Sequence, residues 1–131
     1  MPEVSVEKPT QTKPGPESTE SLTATIVNQT SGDLVLVKSI TNQQWTQPPP
    51  SVIPSGQSGR FISPGDFSNP STGYVVYQAS AVNNATFTLN WDIPSVGPNS
   101  FSWPTTPGLV ANESGSLSGW NISASWFVSA G

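Results

Sequence analysis

The side chains able to do chemistry in this chain are few. The 131 residues include no histidine and no cysteine, which excludes Ser-His and Cys-His nucleophilic sites, metal sites built on those ligands and disulfide bonds. Beyond residue 21 the carboxylates are Asp33, Asp66, Asp92 and Glu113. Their spacing indicates neither a glycosidase pair nor a calcium-binding loop. We therefore expect a protein that is not an enzyme and that uses no catalytic residue, metal or cofactor.

Aromatic side chains are the stronger signal, because five tryptophans are many for a chain of this length. One group lies on regularly alternating apolar segments, where a buried indole is the simplest expectation: Trp91, Trp120 and Trp126. A second group lies in or beside loops rich in proline and glycine: Trp45, Phe67, Phe101 and Trp103. Rings in such loops enter a membrane interface or stack on a sugar, or they cap the end of a core. For Trp103 we favour the core cap.

The elements that position these residues are short strands. Residues 85–103, ATFTLNWDIPSVGPNSFSW, begin with strict alternation, in which Phe87, Leu89 and Trp91 point one way and the polar residues between them point the other. This period of two predicts a strand with one buried face. Pro94 then breaks the ladder, since proline cannot donate a sheet hydrogen bond, and a second strand follows.

The other segments repeat this arrangement of short strand and turn. Residues 22–27 and 34–40 flank the turn cluster NQTSGD, which predicts a hairpin. The second of these strands is apolar on both faces, so we expect it inside the sheet stack. A strand at 59–63 is expected to end in a turn at Pro64, Gly65 and Asp66. With strands at 73–80, 109–110 and 120–128, the pattern predicts a single antiparallel β-sandwich of about eight short strands over residues 22–131.

Residues 1–21 differ in composition from the rest. They contain four prolines and almost no large apolar side chain, so they cannot bury enough surface to offset the entropy lost on ordering. We predict a flexible arm, with a docking strand built on Val4 and Val6 as the alternative. No apolar run has the length of a membrane span and no signal region is present. We therefore expect a soluble protein, and its localisation stays open between secretion and action at a target membrane.

Charge limits the partners. The chain has a net charge of −4 and only four basic residues: Lys8, Lys13, Lys38 and Arg60. Nucleic acids and anionic lipids both attract clustered positive charge, so we expect no nucleic acid partner. Any membrane contact is expected to be apolar or aimed at zwitterionic or neutral lipid. Low charge and Ser/Thr-rich strand faces also favour edge-to-edge pairing, so a homo-oligomer is a further expectation.

The order of four motifs resembles that of a known group of proteins. The motifs are IVNQTSGDLVLV, PPPSVIPSGQSGRFI, GYVVYQ and FTLNWDIPSVGPNSFSW, within residues 24–103. Their order is similar to that of actinoporin-like β-sandwich proteins and, more loosely, of aegerolysins. The resemblance implies a soluble β-sandwich that recognises membrane lipid, with oligomeric pores in some members. By position it places Asp92, Pro94 and Phe101 in the lipid-headgroup pocket.

The chain also departs from the actinoporin pattern. Asp92 replaces a small hydroxyl residue, and a carboxylate repels a phosphate although it attracts a choline cation. The tyrosine-rich segment expected after Trp103 is replaced by PTTPGLVANESGSLSG, and the proline-broken N-terminus cannot form the amphipathic pore helix. An acidic chain without that helix is closer to aegerolysins, which bind lipid and often need a second protein to perforate membranes. The cysteines typical of aegerolysins are absent.

These observations predict a non-enzymatic protein that binds a membrane lipid through loops at one end of the sandwich, as a component of a pore-forming toxin or defence system. The expected ligand-binding residues are Trp45, Phe67, Asp92, Pro94 and Phe101. Two alternatives stay open: a lectin-like module that binds a glycan, and a self-assembling structural or storage protein without a ligand.

Overall fold

A computed structural model of the chain describes Glu3–Val6 and residues 19–131. This part of the chain forms ten strands: β1 Glu3–Val6, β2 Thr19–Asn28, β3 Leu34–Thr41, β4 Val52–Ile53, β5 Ser58–Asp66, β6 Ser71–Ala79, β7 Ala85–Ile93, β8 Asn99–Ser102, β9 Leu109–Ser116 and β10 Asn121–Ala130. None of the described residues forms a helix with the length and apolar character needed to cross a membrane.

The strands build two sheets. One is six-stranded in the order β1-β8-β7-β6-β3-β4, and the other is four-stranded in the order β5-β2-β10-β9. The pairs are antiparallel except for β2 and β10, which run parallel. The predicted all-β sandwich is confirmed, with two more strands than the sequence pattern predicts.

The core lies between the sheets and follows the predicted alternation. On β7, Phe87, Leu89 and Trp91 are buried, whereas the polar residues between them are not. On β10, Trp126 and Val128 are buried in the same manner. Each large apolar side chain buried here stabilises the fold by roughly 1.5–3 kcal/mol relative to its exposure to water.

The hairpin predicted for residues 22–40 is wrong, because β2 and β3 lie in different sheets. The buried Asn28 explains the crossing. Its Nδ2 donates to the carbonyl oxygens of Gly32 (2.8 Å) and Ile53 (2.7 Å), and its Oδ1 accepts from the Thr30 backbone N–H (2.9 Å). These bonds hold the turn across the end of the sandwich, so the chain passes to the other sheet.

The turn predicted at Pro64, Gly65 and Asp66 is also wrong, because β5 continues to Asp66. β5 is the edge strand of its sheet, and an edge tolerates the missing N–H of Pro64. A Cβ on Gly65 would lie 2.4 Å from the Ser71 backbone nitrogen, so this close approach of two strands requires glycine. The turn lies instead at residues 67–70.

The strand β3 is not enclosed by the sheet stack, contrary to the prediction from its apolar faces. Its outer neighbour β4 has two residues, which pair only with Leu34 and Val35. Val37 lies at a bulge between Leu36 and Lys38, and the side chains of Val37 and Ile40 are exposed. The strand predicted at 109–110 is longer than expected, because β9 stays paired with β10 as far as Ser116.

The strand β1 lies within the segment predicted as a flexible arm. Its register places Val4 opposite Phe101 and Val6 opposite Asn99. Residues 3–6 therefore form the docking strand that was the alternative prediction. β2 begins at Thr19, slightly before the predicted domain boundary at residue 22. The rest of the predicted arm lies outside the described residues.

Candidate functional site

Three loops meet at one end of the sandwich: residues 67–70, 94–98 and 117–120. We call them the Phe67–Val96 loop cluster. Ser95 links them, because its Oγ lies 2.6 Å from the carbonyl oxygen of Phe67 and its own carbonyl oxygen accepts from Trp120 Nε1 (3.3 Å). The same Oγ lies 3.1 Å from Oε2 of the buried Glu20. The loops are therefore tied to one another and to the base of β2.

The tip of this cluster is apolar. Phe67 is 40% exposed and Val96 is 80% exposed, the highest value among the exposed large hydrophobic residues of the described chain. Pro94 is half-buried at the base of the second loop, and Pro98 is exposed. The two exposed side chains lie on loops that Ser95 joins, so this end of the sandwich presents apolar surface.

The turn that carries Phe67 is organised by one carboxylate. Asp66 Oδ1 accepts from the backbone N–H groups of Asn69 (2.8 Å) and Ser68 (3.0 Å), and from the Ser68 hydroxyl (3.0 Å). The hydrogen bond from the Asn69 backbone is the main cause that lowers the pKa of Asp66, followed by the Ser68 side chain. The ionised form therefore holds the turn, as in other turns that begin with aspartate.

A buried amide holds the third loop. Asn99 is fully buried, and its Nδ2 donates to the carbonyl oxygens of Leu117 (2.9 Å) and Gly119 (2.8 Å). Satisfying two backbone acceptors from one side chain fixes the path of residues 117–120 against β8. Trp120, predicted as a core residue, is only half-buried and lies in this loop.

Trp45 lies on the side of the core. It is half-buried, and its ring contacts those of Phe61 (centroids 5.5 Å apart, edge-on) and Trp91 (6.1 Å). The chain beside it pairs with the free edge of β5 through the bridge between Gln47 and Ile62. The geometry of Trp45 is that of the core cap, the other interpretation of this residue.

Phe101, which the resemblance places in the headgroup pocket, faces the core of the sandwich. It is 0% exposed, and its ring stacks on that of Trp126 with centroids 6.3 Å apart. The register of β8 against β7 places Phe101 opposite the inward Trp91. Strand alternation thus directs Phe101 into the core and leaves Ser100 and Ser102 on the outer face.

Asp92 and Pro94 lie near the loop cluster in different ways. Asp92 is exposed on the outer face of β7, with Thr72 and Ser100 opposite it on the neighbouring strands. Pro94 belongs to the cluster itself. The structure therefore brings Phe67 and Pro94 together, leaves Asp92 beside them, and turns Trp45 and Phe101 inward. Sequence reasoning missed Val96, whose only signal was its place between Pro94 and Pro98.

A second apolar surface lies on the outer face of the six-stranded sheet. Its members are the exposed Val35, Val37, Ile40 and Val52. The Nζ of Lys38 lies 5.7 Å from the centre of the Tyr74 ring beside them, which is within the range of a cation–π contact. Exposed apolar groups on a strand next to a two-residue edge strand are a site for edge pairing.

Comparison with known proteins supports the fold alone. No family model matches the sequence, and no curated protein matches it. Among solved structures, the chain is similar to the crystal structure of RahU protein in complex with a Tris molecule, with a TM-score of 0.60 and 15% sequence identity over 86% of this chain and 96% of that one. This protein is therefore a two-sheet β-sandwich of the same overall fold as RahU.

Proposed function

We propose that this protein binds the interface of a lipid membrane through the Phe67–Val96 loop cluster and catalyses no reaction. The observation that carries the proposal is the apolar tip formed by Phe67 and Val96 on two loops that Ser95 joins. Apolar side chains exposed together at one end of a domain mark a candidate contact surface. Loops already held together lose little conformational entropy when they enter that surface.

Charge selects the lipid class. The three loops of the cluster contain no lysine or arginine, and the whole chain has a net charge of −4. Attraction to anionic headgroups depends on basic residues near the surface, so the cluster suits zwitterionic or neutral lipid. The motif resemblance to actinoporin-like and aegerolysin proteins points the same way. Membrane perforation, as a toxin or defence component, would be a further step beyond binding.

The test is cosedimentation with multilamellar vesicles of phosphatidylcholine, phosphatidylcholine with sphingomyelin, phosphatidylcholine with cholesterol, and phosphatidylcholine with phosphatidylserine. We expect the protein to pellet with at least one zwitterionic or neutral mixture and to gain nothing from phosphatidylserine. Dye release from unilamellar vesicles of the same mixtures separates binding from perforation. If the protein pellets with none of the mixtures, lipid binding is refuted. If a free sugar competes with binding, the lectin-like alternative is favoured.

Self-assembly is the second candidate, and the apolar face of β3 favours it. Val37 and Ile40 are exposed on a strand whose outer edge is covered only at its start. Pairing of this edge with that of another copy would bury both side chains and satisfy backbone groups. Sedimentation velocity over a hundred-fold range of protein concentration tests it. A Val37→Lys variant should abolish any association seen, because it places a charge in the pairing surface.

A further inference from the structure

Three buried polar atoms in the described part of the chain have no hydrogen-bond partner and lie on neighbouring side chains. They are the indole nitrogens Nε1 of Trp103 and Trp126 and the Oε2 atom of Glu113. Trp126 is 0% exposed and Trp103 is 7% exposed. Native proteins leave few such atoms unsatisfied, since each loses its hydration on burial. Three such atoms on neighbouring side chains mark a candidate site for a polar partner.

Trp126 is the centre of this cluster. Glu113 lies directly opposite it in the β9–β10 ladder, so both side chains project from the same face of the sheet with Cβ atoms about 5 Å apart. The Trp103 ring lies edge-on to the Trp126 ring, with centroids 6.1 Å apart. On the same face of β9, the neighbours of Glu113 are the buried Ala111 and the exposed Gly115, so no large side chain of its own strand covers the carboxylate.

The atoms of the cluster restrict the ligand. An indole N–H only donates, so two of them repel a metal ion and require acceptor oxygens. A carboxylate repels an inorganic anion and accepts from a donor, most strongly from a charged one. The aromatic faces of Trp103 and Trp126 also attract an organic cation. Burial raises the pKa of Glu113, which is the effect expected of a carboxylate that lacks its cation.

We propose that Trp103, Glu113 and Trp126 form a binding site for a small hydroxyl-bearing organic ammonium ion. Hydroxyl oxygens of the ligand accept from the two indole N–H groups, and its ammonium group donates to Glu113 Oε2. The site lies between the sheets beside the edge strand β9 and shares no residue with the Phe67–Val96 loop cluster. The proposed site therefore does not depend on membrane binding.

The test uses the indole N–H signals in a two-dimensional ¹⁵N–¹H spectrum of the uniformly labelled chain. The probe is serinol, which is glycerol with an ammonium group in place of the central hydroxyl. Titration with serinol should shift the signals of Trp103 and Trp126. The signals of Trp91 and Trp120 should stay, because these N–H groups already donate to Ser71 Oγ (3.2 Å) and to the Ser95 carbonyl oxygen (3.3 Å).

Matched probes and variants separate the parts of the proposal. Glycerol keeps the hydroxyls without the charge, and tetramethylammonium keeps the charge without the hydroxyls, so both should bind at least ten-fold more weakly than serinol. Glu113→Gln keeps the side-chain size and should weaken serinol binding about ten-fold, a loss of about 1.4 kcal/mol. The control Asp33→Asn removes an exposed carboxylate in the turn before β3 and should leave serinol binding unchanged.

Each contrary result overturns the proposal. If serinol leaves the Trp103 and Trp126 signals in place, the partner of these atoms is water. If glycerol binds as well as serinol, or if the Glu113→Gln variant binds serinol as well as the parent chain does, the carboxylate does not bind the ammonium group. If tetramethylammonium binds as well as serinol, the indole N–H groups do not donate hydrogen bonds to the hydroxyl groups of the ligand. The variant Trp103→Phe removes one donor while keeping a ring, and its serinol affinity should also fall.

Discussion

Replacing the apolar tip of the Phe67–Val96 loop cluster with serine should weaken membrane binding without unfolding the protein. Full burial of a valine or phenylalanine side chain is worth roughly 1.5–3 kcal/mol. Val96 is 80% exposed and Phe67 is 40% exposed, so their remaining exposed surface can contribute about 2–3 kcal/mol on entering a membrane. The double variant Phe67→Ser, Val96→Ser should therefore partition roughly 30- to 150-fold more weakly.

The assay is vesicle cosedimentation over a range of lipid concentrations, which yields a partition coefficient for each protein. The matched control is Val35→Thr, Val110→Thr, which removes apolar groups that are 38% and 42% exposed near the opposite end of the sandwich. We expect the control to partition like the parent chain. Far-ultraviolet circular dichroism and urea unfolding of both double variants check that the sandwich is intact.

An equal partition coefficient for the loop variant and the parent chain would refute the reasoning, because the apolar side chains at the tip of the cluster would then not meet the lipid. An equal loss in both double variants would also refute it, since general surface hydrophobicity would then account for binding.

Three further predictions concern the fold that carries these sites. Phe101→Ala should lower the free energy of unfolding by about 3–5 kcal/mol, measured by urea denaturation, because Phe101 is a core residue; a loss below about 1 kcal/mol would contradict its burial. Asn28→Ala should cost about 2–4 kcal/mol in the same assay, because two carbonyl oxygens and the Thr30 N–H lose their partner; a neutral result would mean that water replaces the amide. Glu113 should make stability depend on pH. Because burial raises its pKa in the folded protein, the native state holds the proton more tightly than the unfolded chain does, so the free energy of unfolding falls as pH rises from about 4.3, the value for a free glutamate. Glu113→Gln should remove that fall, and identical pH profiles of the variant and parent chains would contradict it.

The local pattern of this sequence identifies much of the core. A strand points alternate side chains to opposite faces whatever the rest of the chain does, so the burial of Phe87, Leu89 and Trp91 follows from neighbouring residues alone. Turn chemistry likewise separates the strands. The loop position of Phe67 made it a candidate for a surface role, and the structure does leave it exposed.

Pairing between distant strands needed the tertiary structure. The parallel contact of β2 with β10 joins residues about one hundred positions apart, such as Ser21 and Asn121, and no short-range pattern specifies such a contact. The same limit explains the wrong hairpin, since turn residues suit a chain that reverses within a sheet and one that crosses to the other sheet. The register in which β8 pairs with β7 places Phe101 opposite Trp91, on the buried face.

The same distinction between local pattern and tertiary structure applies to the two candidate sites. By itself, the sequence determined the fold class, the absence of histidine and cysteine chemistry, the acidic charge and the aromatic residues in loops, because these depend on composition and local periodicity. Only the tertiary structure decided that Val96 is exposed on a loop joined to that of Phe67 and that Glu113 lies opposite Trp126. Exposure and the lack of a hydrogen-bond partner are properties of what surrounds a side chain, and strands far apart in the chain supply those surroundings.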